Sequence, residues 1–320
     1  MSVIRQFGAR ELAGLLGPAG AADALADALR AGLDPESCPQ RSAVAVPGGG
    51  ELLLMPAAQG AYAGVKIAGV APGNPARGLP RITGSYLLLD GATLRPVALL
   101  DGAALTALRT PAVSALALRY LAPAGRPLRL VLFGSGPQAY GHLEAAAAVR
   151  DVGRAVVVAR DPAGVRKLVE HAQSLGIPAR AGTAADVAGA DLVLCCTTAR
   201  TPLFDGRLVD PGAVVVAVGS HEPDARETDT ALVRRSAVYV EARSAALREA
   251  GDLLIPEAEG AIGPGHINGT LADLVAGRMP APGPPGCPQL FKSVGMAWED
   301  LAVAVAMYHA ADAVGANSET

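Results

Sequence analysis

Aromatic side chains are scarce in this chain, 3% of 320 residues, and charged side chains make up only 18%. A core must come from aliphatic packing, and an apolar content of 51% supplies it, which argues against global disorder. No apolar run reaches the roughly 18 residues that a membrane-spanning helix needs. The opening Met1-Ser2-Val3-Ile4-Arg5 lacks the basic, apolar and small-residue regions of a secretory signal. Formal net charge is −3, with no basic tract and no basic–aromatic interleaving, so neither nucleic acid nor a membrane is expected as a partner. Cysteine is confined to Cys38, Cys195, Cys196 and Cys287, in a spacing that matches no metal site. Adjacent Cys195 and Cys196 end an apolar run and read as reduced core thiols, which implies a cytoplasmic setting.

Length exceeds one typical domain and suggests two domains or one large α/β unit. Residues 10–31 carry Leu12, Leu15, Leu16, Leu25 and Leu29 at helical spacing, interrupted by Gly17-Pro18. Strands are then expected at Ala43–Val46, Glu51–Met55, Ala63–Val70, Ile82–Leu89 and Pro96–Leu100, separated by glycine turns. Their hairpin-like spacing predicts a mostly antiparallel sheet, with a helix over 103–121 after it. From Arg129 strand and helix alternate: Leu130–Phe133, a helix to Val149, Ala155–Ala159, a helix over 162–175, then strands at Asp191–Cys196, Ala213–Val218 and Ala237–Val240. That alternation predicts a parallel sheet with helices on both faces. Pro280–Pro288 reads as a linker, and Phe291–Val314 as an amphipathic helix returning to the first domain.

Leu130-Val131-Leu132-Phe133 leads into Gly134-Ser135-Gly136-Pro137-Gln138-Ala139, and a helical pattern follows. A dinucleotide pyrophosphate needs that order: a tight turn, a close backbone approach, then a helix N-terminus whose N–H groups hold anionic oxygens. Ala139 stands where the third glycine of the motif is usual. At the tip of the next strand the chain reads Arg160-Asp161. Arg160 favours the extra phosphate of NADPH, whereas Asp161 as a ribose ligand keeps NADH open.

Several further segments occur in a fixed order: Leu54-Met55-Pro56, Gly64-Val65-Lys66-Ile67, Asn74–Pro80, Tyr86–Gly91, Leu108-Arg109-Thr110, Val218–Asp229, Glu249-Ala250-Gly251-Asp252 and Phe291-Lys292-Ser293-Val294-Gly295. Together with the Gly134 loop they resemble the ornithine cyclodeaminase/μ-crystallin family over nearly the whole chain. The resemblance implies an α/β protein and a homodimer. A Rossmann-type parallel-sheet domain, 116–289, would be inserted in a discontinuous α+β substrate-binding and dimerisation domain, 1–115 plus 290–320. It adds Thr197, Thr198, Val218 and Gly219 to the cofactor-binding positions. Family members include cyclodeaminases, an alanine dehydrogenase, ketimine reductases and an NADPH-binding crystallin.

By the same resemblance Arg41, Lys66 and Arg109 match carboxylate-binding cations, while Thr83, Ser293 and Gly295 complete the substrate pocket. Arginine can grip a carboxylate bidentately and lysine adds a compact charge. A lysine within the apolar strand Ala63–Val70 also requires a partner on physical grounds. Without the resemblance, Arg109 reads equally as a surface ion-pair residue and Arg41 as a solvated loop residue. At His221 the cyclodeaminases carry aspartate, and Leu53 stands where they carry an acidic residue; both departures resemble the bacterial Δ1-pyrroline-2-carboxylate reductase branch. Two readings stand for His221: a proton-exchanging catalytic group beside Lys66, or a loop histidine bonded to cofactor or backbone. Glu222 and Asp224 read as solvated or capping residues and His266 as structural. The expected function is reduction of a cyclic ketimine carboxylate. The alternatives are an ornithine or lysine cyclodeaminase with bound NAD, an alanine-dehydrogenase-like enzyme and a non-catalytic NADPH-binding protein.

Overall fold

Gly17-Pro18 divides the first helical stretch in the computed structural model, which describes residues 4–280 and 286–318. A short strand β1 (Arg5–Phe7) precedes α1 (Ala9–Leu15). Pro18 then opens α2 (Pro18–Arg30), at a helix start where its missing N–H costs no hydrogen bond. Strands β2 (Ser42–Ala45), β3 (Glu51–Gln59), β4 (Tyr62–Val70), β5 (Ile82–Asp90) and β6 (Pro96–Asp101) follow, then α3 (Gly102–Leu121). The six strands form one sheet in the order β1-β6-β5-β4-β3-β2, antiparallel except where β1 runs parallel to β6. Side chains alternate across the sheet. Leu53, Met55, Lys66, Ala68, Tyr86 and Leu88 are buried on one face, whereas Leu52, Leu54, Val65, Ile67 and Leu87 on the other are half-buried or exposed.

The next segment comprises β7 (Leu128–Phe133), α4 (Pro137–Val149), β8 (Val152–Val158), α5 (Pro162–Ser174), β9 (Ala179–Ala181), β10 (Leu192–Cys195) and β11 (Val214–Ala217). It continues through α6 (Thr230–Arg235), β12 (Ala237–Val240), α7 (Arg243–Glu249), α8 (Gly251–Ala258), β13 (Ile267–Thr270), α9 (Leu271–Val275) and β14 (Gln289–Lys292). All eight strands pair in parallel, in the order β13-β12-β14-β11-β10-β7-β8-β9. β10, β11, β12 and β14 are buried at every residue, as expected of a sheet covered on both faces. Register sets Phe133, Cys195, Ala217 and Lys292 level with one another at the carboxyl ends of their strands. Open α/β sheets bind ligands at that end.

The chain closes with α10 (Ala297–Ser318), which packs on α2, β3 and β4. Two compact units result: Met1–Thr110 with Met296–Thr320, and Pro111–Gly295, so the parallel sheet is an insertion in the chain of the first unit. The α/β class with a Rossmann-type sheet is as expected, but the terminal element needs correction. Phe291 and Lys292 belong to β14, between β11 and β12, and the helix begins only at Ala297. Its first residues, Ala297–Leu301, are buried at every position, so it starts as a core helix rather than a two-faced one. Of the expected linker Pro280–Pro288, positions 281–285 lie outside the described residues.

Candidate active site

In the first unit, Lys66 projects from β4 on the buried face, opposite Met55 and Tyr86 in register. Two residues earlier Gly64 leaves space for the Tyr86 ring, since a Cβ there would lie 2.3 Å from the phenolic oxygen. Lys66 is 3% exposed and Arg109, from α3, 6%. Lys66 Nζ donates to Asp300 Oδ1 at 2.9 Å, lies 2.7 Å from Oδ2, and reaches Thr106 Oγ1 at 3.4 Å. Arg109 Nε donates to the same Asp300 at 3.1 Å, and its Nη1 to Glu299 at 2.7 Å. Two cations and two carboxylates are therefore closed into one buried set. Burial, and then the neighbouring Arg109 charge, push Lys66 down to about 8, against the upward pull of Asp300.

Arg41 stands partly exposed just before β2. Thr83 pairs with Gly69 on β5 and so points to the sheet face opposite Lys66, where it is exposed; the structure does not bring these two together. Glu299 and Asp300 were missing from the sequence-based site. The signal was an acidic pair inside the apolar run Ala297-Trp298-Glu299-Asp300-Leu301, because buried carboxylates call for buried cations.

In the second unit, Gly134 adopts φ +114°, and a Cβ there would lie 2.6 Å from the Cys196 carbonyl oxygen, so only glycine passes. Gly136 precedes α4 in extended conformation with no side-chain cap, and among the described residues nothing beyond its chain neighbours lies within 4 Å of where its Cβ would be. Pro137 opens the helix, and Ala139 is wholly buried, so a methyl group fits at the third glycine position. The buried Gln138 Oε1 has no hydrogen-bond partner among the described residues. Open space at Gly136 and an uncapped helix start, whose N–H groups point outward, fit a dinucleotide pyrophosphate. Ser135 lies against Gly164, where a Cβ would come 2.6 Å from its hydroxyl oxygen.

Asp161 gives one oxygen to the N–H of Ala163 and the other to that of Gly164, both at 3.0 Å, and so caps α5. Arg160 beside it is exposed, with no ion-pair partner among the described residues. Past β10, Thr197 donates its N–H and hydroxyl to Glu227 Oε1 at 2.8 and 2.7 Å, and the N–H of Gly219 reaches Glu227 Oε2 at 2.7 Å. A Cβ on Gly219 would fall 1.9 Å from the Thr197 carbonyl oxygen. Val218 N–H donates to the Cys195 carbonyl at 3.1 Å, and Thr198 is exposed.

His221 is exposed in the loop after β11. Glu222 and Asp224 are solvent-exposed, as expected, and each also pairs with Arg200 at 2.5 Å, while His266 Nε2 sits 2.7 Å from the Val233 carbonyl oxygen, a structural contact. Ser293 donates its hydroxyl to Glu241 at 2.5 Å, and Val294 and Gly295 donate their N–H groups to the same carboxylate. The donors of Ser293 and Gly295 thus face an internal anion, while the Ser293 oxygen can still accept. Glu227 and Glu241, like Glu299, went unread in the sequence; the first two accept from backbone N–H groups and hydroxyls of other loops, which leave no charge pattern to read.

Among known proteins, the profile of the ornithine cyclodeaminase/mu-crystallin family matches residues 21–315. The chain is 38% identical over 230 residues to the Delta(1)-pyrroline-2-carboxylate reductase of Colwellia psychrerythraea, covering 71% of this chain and 72% of that protein. Identity is 37% over 266 residues to the Delta(1)-pyrroline-2-carboxylate/Delta(1)-piperideine-2-carboxylate reductase of Azospirillum brasilense, with 82% of each covered. Among solved structures, the Thermococcus litoralis Delta(1)-pyrroline-2-carboxylate reductase in complex with NADH and L-proline aligns at TM-score 0.91 and 32% identity over 98% of both chains. A family match spanning most of the sequence, with reductases similar over two thirds or more of their length, makes this chain a member of the ornithine cyclodeaminase/mu-crystallin family.

Proposed function

We propose that the chain reduces a cyclic ketimine carboxylate, Δ1-pyrroline-2-carboxylate or Δ1-piperideine-2-carboxylate, to L-proline or L-pipecolate with NADPH as the preferred cofactor. The observation that carries this reading is the buried Lys66–Arg109–Glu299–Asp300 set in a chain that also holds the Gly134–Ala139 cradle. Arg109 is aligned by Glu299 and Asp300, and its planar guanidinium suits a substrate carboxylate. Lys66 carries three donor hydrogens; both Asp300 oxygens lie within 2.9 Å, and the long 3.4 Å contact with Thr106 is the one that a ligand can replace.

With its pKa near 8, Lys66 is protonated at neutral pH yet acidic enough to support proton delivery to an imine nitrogen. Bound nicotinamide supplies the hydride for the imine carbon. His221 is the second proton-exchanging group of the proposal, and Arg41 a further carboxylate anchor. The Gly134–Ala139 loop would hold the pyrophosphate, with Thr197, Val218 and Gly219 at the neighbouring strand ends.

Arg160 supports NADPH, since it is exposed and uncommitted while both oxygens of Asp161 cap α5. NADH is the second reading, favoured by the Thermococcus litoralis structure with NADH. A cyclodeaminase is disfavoured by buried Leu53 and by His221 in place of acidic residues. A homodimer through the open face of the six-stranded sheet is part of the proposal, because Ile67 there is 40% exposed beside half-buried Leu54, Val65 and Leu87. The test is oxidation of NADPH and of NADH with the five- and six-membered cyclic imino acids. Turnover with either ring supports the reading. No oxidation of either cofactor, or ammonia release from ornithine without added cofactor, overturns it.

A further inference from the structure

A second buried lysine lies at the carboxyl end of the parallel sheet. Lys292, the last residue of β14, is 1% exposed, and its Nζ donates to the Ser220 carbonyl at 2.6 Å while lying 3.0 Å from Asp252 Oδ2. The other oxygen of Asp252 accepts the N–H groups of Glu227 and Thr228 and the Thr228 hydroxyl, at 2.7 to 2.9 Å. Glu227 in turn holds Thr197 and Gly219. One continuous path of charge-assisted bonds therefore joins Lys292 to both strand-end loops and to the peptide immediately before His221. Lys292, Asp252 and Glu227 carry almost no solvent exposure.

Burial pushes the Glu227 carboxyl up, partly offset by Lys292 and the Thr197 donors; Asp252 is held below its usual range because Lys292 and Thr228 outweigh its burial. The ammonium thus contacts one buried carboxylate and one carbonyl, and its charge also favours the ionised form of Glu227. A hydrophobic side chain of equal length would fill the volume but leave all three without their cation. Ser220 reinforces the loop from its other side, its hydroxyl donating to the Ala225 carbonyl at 3.0 Å.

We propose that Lys292 is a positioning residue that fixes the Ser220 carbonyl and thereby aims His221, with Asp252 and Glu227 transmitting the same constraint to Thr197 and Gly219. The inference rests on the proposed role of His221 in ketimine reduction. Its first test is a double-mutant cycle on the full chain, with kcat and imino-acid KM measured for K292M, H221A and the double variant. K292M is expected to lower kcat by about tenfold or more, equivalent to about 1.4 kcal/mol or more of transition-state stabilisation, with a smaller change in KM. At saturating cofactor, where the constraint on Thr197 and Gly219 does not limit the rate, the double variant is expected to match H221A alone, since both substitutions disable the same group. Multiplying losses, an H221A variant with wild-type kcat, or a K292M variant with unchanged kcat overturns the proposal.

Hydrogen exchange over residues 218–228 supplies a readout independent of turnover: K292M should exchange faster there, and wild-type exchange refutes the positioning role. Where K292M does not fold, K292R carries the test, because it keeps the charge beside Asp252 while displacing the donor from Ser220. A folded K292R with wild-type kcat and wild-type exchange also overturns it. Failure of the proposed reaction is separable, since it shows as absent turnover in the unmutated protein while the exchange comparison still decides the role of Lys292.

Discussion

Asp300→Asn removes one negative charge from the Lys66 cluster while keeping the side-chain volume. Lys66 Nζ lies 2.7 Å from one Asp300 oxygen and 2.9 Å from the other, and Arg109 Nε lies 3.1 Å away. At an effective dielectric of about 20, a unit pair near this separation interacts by roughly 6 kcal/mol at most. The carboxamide oxygen keeps part of that attraction, and Glu299 still pulls Lys66 upward. A net loss of about 1.4 to 2.7 kcal/mol follows, or about one to two pH units. Asp300 raises the Lys66 pKa, so its removal lowers it from the present value of about 8.

If protonated Lys66 delivers the proton, wild-type kcat/KM falls as pH rises through about 8. In the variant that alkaline limb should move toward acid by about one to two pH units. At pH 7 the protonated fraction would drop from about 90% to between about 10% and 50%, lowering kcat/KM by about two- to tenfold, with recovery on acidification. Initial rates of NADPH oxidation across pH, on protein whose folding is checked by thermal melting, measure this directly. A limb that stays near 8 while the rate falls equally at every pH would refute the assignment of Lys66 as proton donor.

Arg160→Ala should raise the NADPH KM by about 10- to 100-fold, the worth of a charge-assisted hydrogen bond of about 1.5 to 3 kcal/mol. The NADH KM should stay within about twofold, and equal losses for both cofactors would remove Arg160 from phosphate recognition. Gly134→Ala places a Cβ 2.6 Å from the Cys196 carbonyl in a φ of +114°. A cost of about 1 to 3 kcal/mol is expected, seen as a lowered Tm and weaker dinucleotide binding; an unchanged Tm would show the loop to be less constrained than described. Ile67→Glu puts a charge on the open face of the six-stranded sheet and should convert a dimer to a monomer by light scattering. A dimer that persists would place the interface elsewhere.

Much of the fold was legible because burial on one face writes itself as alternation. β3 through β6 were readable from their period of two, and α2 from Leu25 and Leu29 at helical spacing. What escaped was short or buried on both sides. β1 and β9 have three residues each, too few to show a period. β14 is buried at all four positions, so its apolar run looks the same as the start of the core helix that follows. Only pairing with β11 and β12, a long-range fact, distinguishes strand from helix there. The direction of Thr83 was illegible for a related reason: sequence distance does not show that register with Gly69 sets it on the face opposite Lys66.

The site followed a different logic. Lys66 was readable because a lysine inside an apolar strand demands a partner, but the partner, Asp300, lies 234 residues along the chain. The same demand applies to Lys292 between Phe291 and Ser293, where Asp252 answers it. Neither lysine–aspartate pair serves stability cheaply, since replacing a buried ion pair by apolar side chains of similar volume is often neutral or stabilising by about 1 to 4 kcal/mol. Two such pairs, each wholly buried and each holding a further functional group in place, therefore point to chemistry rather than folding as what requires them. Arg109 is held by the first pair and the Ser220 carbonyl by the second. A charged residue inside an apolar run was thus the most informative local signal in this sequence, more so than the glycine loop, which identifies a cofactor class but not the reaction.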